Sequence, residues 1–169
     1  MKKIVVILAC SIVSCTTLFA QAPLKLGWIE SAELLNSMPE KAKADTEIAH
    51  YAKDFQSQID IMIKEYQSKG QAFQAGEKTM TEAMKEVKMK EIQDLQGRIE
   101  STQQSAQEKL QQKKQDVYAP ILEKADKAIK EVAREKSYDY IFDKSGGVLL
   151  FAKDGDNILP LVKAKLGIK

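Results

Sequence analysis

The sequence predicts an α+β fold, mostly α, in which a small β-containing body carries a long antiparallel helical hairpin. Three observations predict it. Strand-like runs stand at both ends, LKLGWIE (24–30) near the start and YDYIFD (138–143) with VLLFAK (148–153) near the close. Between them, apolar residues recur at coiled-coil spacing. Finally, QQSAQEKLQQKKQ (103–115) has only Ala106 and Leu110 as apolar residues and contains six glutamines. It has no Gly or Pro, and Gln, Lys, Glu, Ala and Leu all favour helix. A helix with so little to bury belongs on a projecting rod rather than inside a compact domain.

Residues 1–20 read as an export leader. Met1-Lys2-Lys3 is a basic start, IVVILACSIVSCTTLFA (4–20) is an uncharged, largely apolar run, and Ala20-Gln21 is a cleavage point. IVSC (12–15) also fits a lipoprotein box; lipidation of Cys15 would tether the protein to a membrane, the lesser alternative. Cys10 and Cys15 are the only two cysteines, so the processed form is expected to have no disulfide.

Leu24, Leu26 and Trp28 alternate, which predicts a short strand with one buried face. Ser31 is placed to cap a helical turn through Leu34-Leu35. Ser37-Met38-Pro39-Glu40 reads as a second helix start, with Ser as cap and Pro in the first turn. Ile48, Ala52, Phe55, Ile59, Met62 and Tyr66 then step by four and three, and Phe73 resumes the seam after Lys69. Gly70 and Gly76 loosen the pattern. Residues 74–79 read as a turn, and Thr79-Met80-Thr81-Glu82 as a capping box.

A second helix from about Met80 to Lys136 carries Met84, Val87, Leu95 and Ile99 as its early seam. Its 57 residues would span roughly 85 Å. Pro120 should bend this rod, and beyond it Ile121, Ala125, Ala128, Ile129 and Val132 share one amphipathic face. YDYIFD and VLLFAK, joined by KSGG, read as a β-hairpin. A short helix with Pro160 in its first turn closes the chain. The expected division is a leader (1–20), a body (21–39 and 120–169) and a helical-hairpin arm (40–119).

Charge and composition exclude several function classes. The 26 basic residues less Lys2 and Lys3 leave 24, equal to the 24 acidic ones. That balance argues against nucleic acid as a partner, which needs clustered positive charge. The single histidine, His50, sits beside the seam, and no cluster has metal-ligand spacing. GQAFQAGEKT (70–79) lacks the spacing of a phosphate loop and no strand precedes it. No enzyme, metal or cofactor is expected.

The body strands expose Leu24, Leu26, Trp28, Ile141, Phe142, Leu149, Leu150 and Phe151 with little of their own to bury them. Sheets this small are marginal alone, so several copies should associate through the body. Strand count alone allows two or three. In the distal half of the arm, Phe73, Met80, Met84 and Met89 are candidates for binding unfolded chains, because the Met thioether adapts to many partners. Ordinary hairpin packing is the competing reading, favoured for Met62 and Met84.

The layout resembles the periplasmic chaperone family of Skp, also called OmpH. KLGWIESAELLNSMPE resembles the family's opening strand and turn, and YAPILEKADKAIKEVAREKSYDYIFDKSGGVLLF its helix, short strand and hairpin. NILPLVKAKL stands where the family usually has Asp-Ile-Thr before its last helix; Asn157 and Leu159 replace the Asp and Thr, leaving Asn157 as the capping residue. The neutral charge also departs from strongly basic members. The resemblance implies a periplasmic homotrimer whose arms surround a cavity, where unfolded outer-membrane proteins are held without ATP and transient membrane contact is allowed. A structural alternative is an envelope spacer or adaptor, lipid-anchored through Cys15.

Overall fold

The computed structural model describes residues 23–168; the leader, Cys10 and Cys15 lie outside them. The elements in chain order are β1 (Leu26–Ile29), α1 (Ser31–Ser37), α2 (Pro39–Gly76), a 3₁₀ turn (Glu77–Thr79), α3 (Glu82–Glu135), β2 (Tyr140–Asp143), a second 3₁₀ turn (Asp154–Asp156) and α4 (Leu159–Leu166). Helices α2 and α3 pack against each other along the arm. With 54 residues, α3 is about 80 Å long.

Local chemistry sets each boundary. Met38 is extended, as the residue before a proline must be, and Pro39 opens α2 where a missing N–H costs nothing. Ser37 does not cap α2; its hydroxyl donates back to the Glu33 carbonyl at 2.8 Å. Nor does Ser31 cap α1 with its own side chain. The Asp143 carboxylate accepts the Ser31 N–H, and the Ser145 hydroxyl accepts the Ala32 N–H at 3.0 Å, so the end of β2 and the loop after it cap the first helix. At the arm's turn, Thr81 rather than Thr79 is the cap, accepting from the Met84 N–H at 3.3 Å. Asn157 takes the Leu159 N–H at 2.9 Å, the expected role, while Ile158 occupies the cap position itself.

Helix α3 runs through Pro120 and ends at Glu135 in a Schellman turn. The Tyr138 N–H returns to the Ala133 carbonyl, and Ser137 takes the left-handed position (φ 54°) where glycine is usual. Gly167 does the same job after α4 at φ 70°.

The sheet is a correction. β1 and β2 pair in parallel, Leu26 opposite Tyr140 and Ile29 opposite Asp143, and the whole helical arm is the crossover between them. VLLFAK is not a strand, so the β-hairpin expected for 138–153 does not form within one chain. The buried side of β1 also differs from expectation. Ile29 enters the helical core and Gly27 sits beneath Ile141 and Tyr138, where a Cβ would come within 2.9 Å of both side chains. Leu24 and Leu26 are exposed, on the opposite face.

The core is continuous and lies in the body. Leu34, Met38, Ile158 and Val162 are fully buried, packed against Ile121, Ala125, Ala128 and Val132 of α3. Those are four of the five residues of the predicted amphipathic face, and the fifth, Ile129, packs against the core partly buried. Along the arm the seam is thinner: Ala44, Ile48, Ile59 and Met62 of α2 are buried, and on α3 only Leu95 and Ala106 before Ile121.

Candidate binding surfaces of the body and the arm

Two surfaces follow from this architecture, the outer face of the body and the long sides of the arm. On the body, strand alternation puts Leu26, Trp28, Tyr140 and Phe142 on the face away from the helices. Tyr140 and Phe142 stack with ring centroids 6.5 Å apart. Trp28 is nonetheless buried, at 6 % exposure, because the segment after β2 folds over it. Its indole N–H donates to the Lys153 carbonyl at 2.8 Å, and Lys144 lies 4.5 Å above its ring.

That covering segment is itself bare. Val148 is 88 % exposed, Leu150 93 % and Phe151 79 %, while Leu149 is half-buried. Leu26, Phe142, Leu149 and Phe151 gather around Trp28, so exposed apolar side chains collect on the outer face of the body. Of the eight predicted body residues, Ile141 packs inward, Trp28 is buried on the outer face beneath the covering segment, Leu149 is half-buried, and Leu24, Leu26, Phe142, Leu150 and Phe151 are exposed. Val148 and Tyr140 are exposed as well and were missed, although both stand in the runs read as strands.

On the arm, polar links concentrate at the two ends. At the base, Lys41 and the Tyr118 hydroxyl both donate to the Asp45 carboxylate, Lys113 reaches Glu47, and Lys124 reaches Glu40. The hydrogen bonds from Lys41 and Tyr118 hold the Asp45 carboxyl below its usual range, and Asp45 in turn pushes the Tyr118 phenol up. Near the tip, Lys69 of α2 pairs with Glu91 of α3 at 3.2 Å, joined by Lys88 at 3.3 Å. These bonds pull the Glu91 carboxyl down.

The four predicted arm residues divide in two. Phe73 and Met80 are half-buried and line a cavity of about 120 Å³ beside the Lys69–Glu91 pair, with Ala72 and Ile92. Met84 and Met89 are about half exposed, 52 % and 49 %. Met84 and Val87 were expected in the seam but face solvent; Ile92 takes the place they were given. Ile61, between the seam residues Ile59 and Met62, is also exposed; its off-phase position in the heptad would have revealed it. His50 is exposed.

A groove of about 510 Å³ opens between Ala52, Phe55, Ile59 and Ile63 on α2 and Ala106 and Leu110 on α3, rimmed by Gln56, Gln103 and Gln107. Among the described residues no group of His, Cys, Asp or Glu could hold a metal ion, and no helix is long and apolar enough to cross a membrane.

A two-helix arm on a small body with an apolar outer face is thus the class of protein the fold defines. The chain belongs to the OmpH-like outer membrane protein family, whose model, described as "Outer membrane protein (OmpH-like)", matches residues 25–166. The fold is similar to the crystal structure of a proposed OmpH-like outer membrane chaperone from Caulobacter crescentus, with a TM-score of 0.75 over 86% of this chain and 85% of that one at 14% identity. No curated protein matches the chain.

Proposed function

We propose that the chain is an ATP-independent periplasmic holdase. Three copies join through their bodies, and their arms surround a cavity in which unfolded outer-membrane proteins are kept from aggregating. Family membership supports a chaperone-type function, and the Caulobacter relative is described as a chaperone of the outer membrane. The observation that carries the reading is the contrast between the two ends of the molecule. The body has a packed core yet leaves Val148, Leu150 and Phe151 almost bare, while the arm, about 57 Å long along the 38 residues of α2, has only a thin seam and no core of its own.

A bare apolar patch beside an unpaired strand edge supports self-association. Thinly seamed arms yield at low cost, which suits clients of different sizes. Client contacts are assigned to Met84 and Met89 on the exposed side of the arm and to Phe73 and Met80 near its tip. Each contact is weak, and affinity comes from many of them at high effective concentration. The test is light scattering from a urea-denatured β-barrel protein diluted into buffer with and without the purified chain, in the absence of nucleotide. Suppression at one trimer per client is expected; undiminished aggregation would count against a holdase and leave the spacer reading.

A further inference from the structure

The mid-arm groove has a chemistry of its own. Its floor is apolar, from Ala52, Phe55, Ile59 and Ile63 on one helix and Ala106 and Leu110 on the other. Its rim is glutamine, and the Lys109 ammonium lies 5.9 Å from the centroid of the Phe55 ring on its floor. The small side chains of Ala52 and Ala106 open the space, and the polar links that tie α2 to α3 lie toward the base and the tip rather than across it.

The glutamines of the same stretch of α3 are of two kinds. Gln104 and Gln112, outside the groove, give their amides to the acids one turn on, Glu108 at 3.1 Å and Asp116 at 2.8 Å. Gln103 and Gln107, which line it, have Gln107 and Gln111 at that position and so no acid to hold them. Each amide carries both donors and an acceptor.

We infer that this groove is a docking site for an extended, unfolded polypeptide. A large apolar side chain enters between Phe55, Ile59, Ala106 and Leu110, and the amides of Gln103 and Gln107 bond to the main-chain N–H and C=O beside it. A peptide backbone is neutral and carries one donor and one acceptor per residue; a glutamine rim matches it in both respects. This gives QQSAQEKLQQKKQ its use: Ala106 and Leu110 supply the thin seam, and the glutamines beside them bind. The inference rests on the holdase reading and names where on the arm the client sits.

Two experiments test it on the processed chain. In the first, Gln107→Cys or Gln104→Cys is labelled with benzophenone-maleimide and irradiated with a urea-denatured β-barrel protein diluted into buffer. Client adducts several times more abundant from position 107 are expected; equal yields, or adducts only to a second copy of this chain, overturn the proposal. In the second, Ala106→Leu fills the groove, and the client Kd should rise about tenfold with helicity and mass unchanged. Should that variant lose helicity, Gln103→Glu with Gln107→Glu gives the same readout from the surface. Unchanged affinity in a folded variant overturns the groove while leaving the holdase standing. Failure of the unmodified chain to suppress aggregation overturns both.

Discussion

The Trp28 indole N–H donates to the carbonyl of Lys153, 125 residues away, at 2.8 Å. This bond holds the segment after β2 against the sheet. The segment's other apolar residues, Val148, Leu150 and Phe151, remain bare. The protein thus fixes one side of an unpaired stretch and presents the other.

Trp28→Phe keeps an aromatic ring in place but removes the donor. The body should lose about 1–2 kcal/mol, the net value of a buried hydrogen bond with some lost packing. Urea denaturation followed by far-ultraviolet circular dichroism measures it. No change in midpoint would mean the segment is held by something else.

Core and arm should respond differently to truncation. Leu34 is wholly buried, so Leu34→Ala should cost about 2–5 kcal/mol. Leu110 is half-buried at the edge of the mid-arm groove, and Leu110→Ala should cost less than about 1 kcal/mol. Comparable losses at the two positions would contradict a thin seam.

Much of this was legible because period and burial agree where two partners exist. Ile48, Ile59 and Met62 step through the α2 seam, and Ile121, Ala125, Ala128 and Val132 mark the body face of α3; all are buried. Met84 and Val87 follow the same spacing yet face solvent, since periodicity shows a stripe without saying whether anything covers it. Leu95, expected in the same seam, is buried, and Ile92 beside it is half-buried. VLLFAK has strand propensity but pairs with neither strand of the sheet, and propensity alone makes no strand. The face of β1 was misread because Trp28 is buried by a loop 125 residues distant, which alternation cannot foresee. The groove could not be read in advance: it depends on Ala52 and Ala106 coming level across the hairpin.

The Tyr118–Asp45 bond at the arm's base gives a pH signature. Asp45 has its pKa lowered by Lys41 and Tyr118, so its contribution is present above the ordinary carboxylate value, near 3.9, and is lost as pH falls through the folded value. Tyr118 has its pKa raised by Asp45, so its contribution is present below about 10 and is lost as pH rises through the folded value. Tyr118→Phe should lower Tm by about 1–2 °C between roughly pH 5 and 9, with the gap to wild type closing outside that window. A gap independent of pH would show that ring packing alone carries the difference.

Ser137 occupies a left-handed position at φ 54° with no glycine's freedom. Ser137→Gly should raise stability by about 0.5–1 kcal/mol through relief of that strain, offset partly by a more flexible unfolded chain. Denaturant midpoints of the two proteins decide it, and a lower midpoint for the glycine variant would refute the strain.

The account depends most on the bare apolar patch of the body being covered by other copies of the chain. Absolute mass from light scattering of the purified, processed protein tests this directly, alongside a Leu150→Glu, Phe151→Glu variant. The expected result is three times the mass of one chain for the wild type and one chain, with unchanged helicity, for the variant. A wild-type mass equal to a single chain at all concentrations would contradict it.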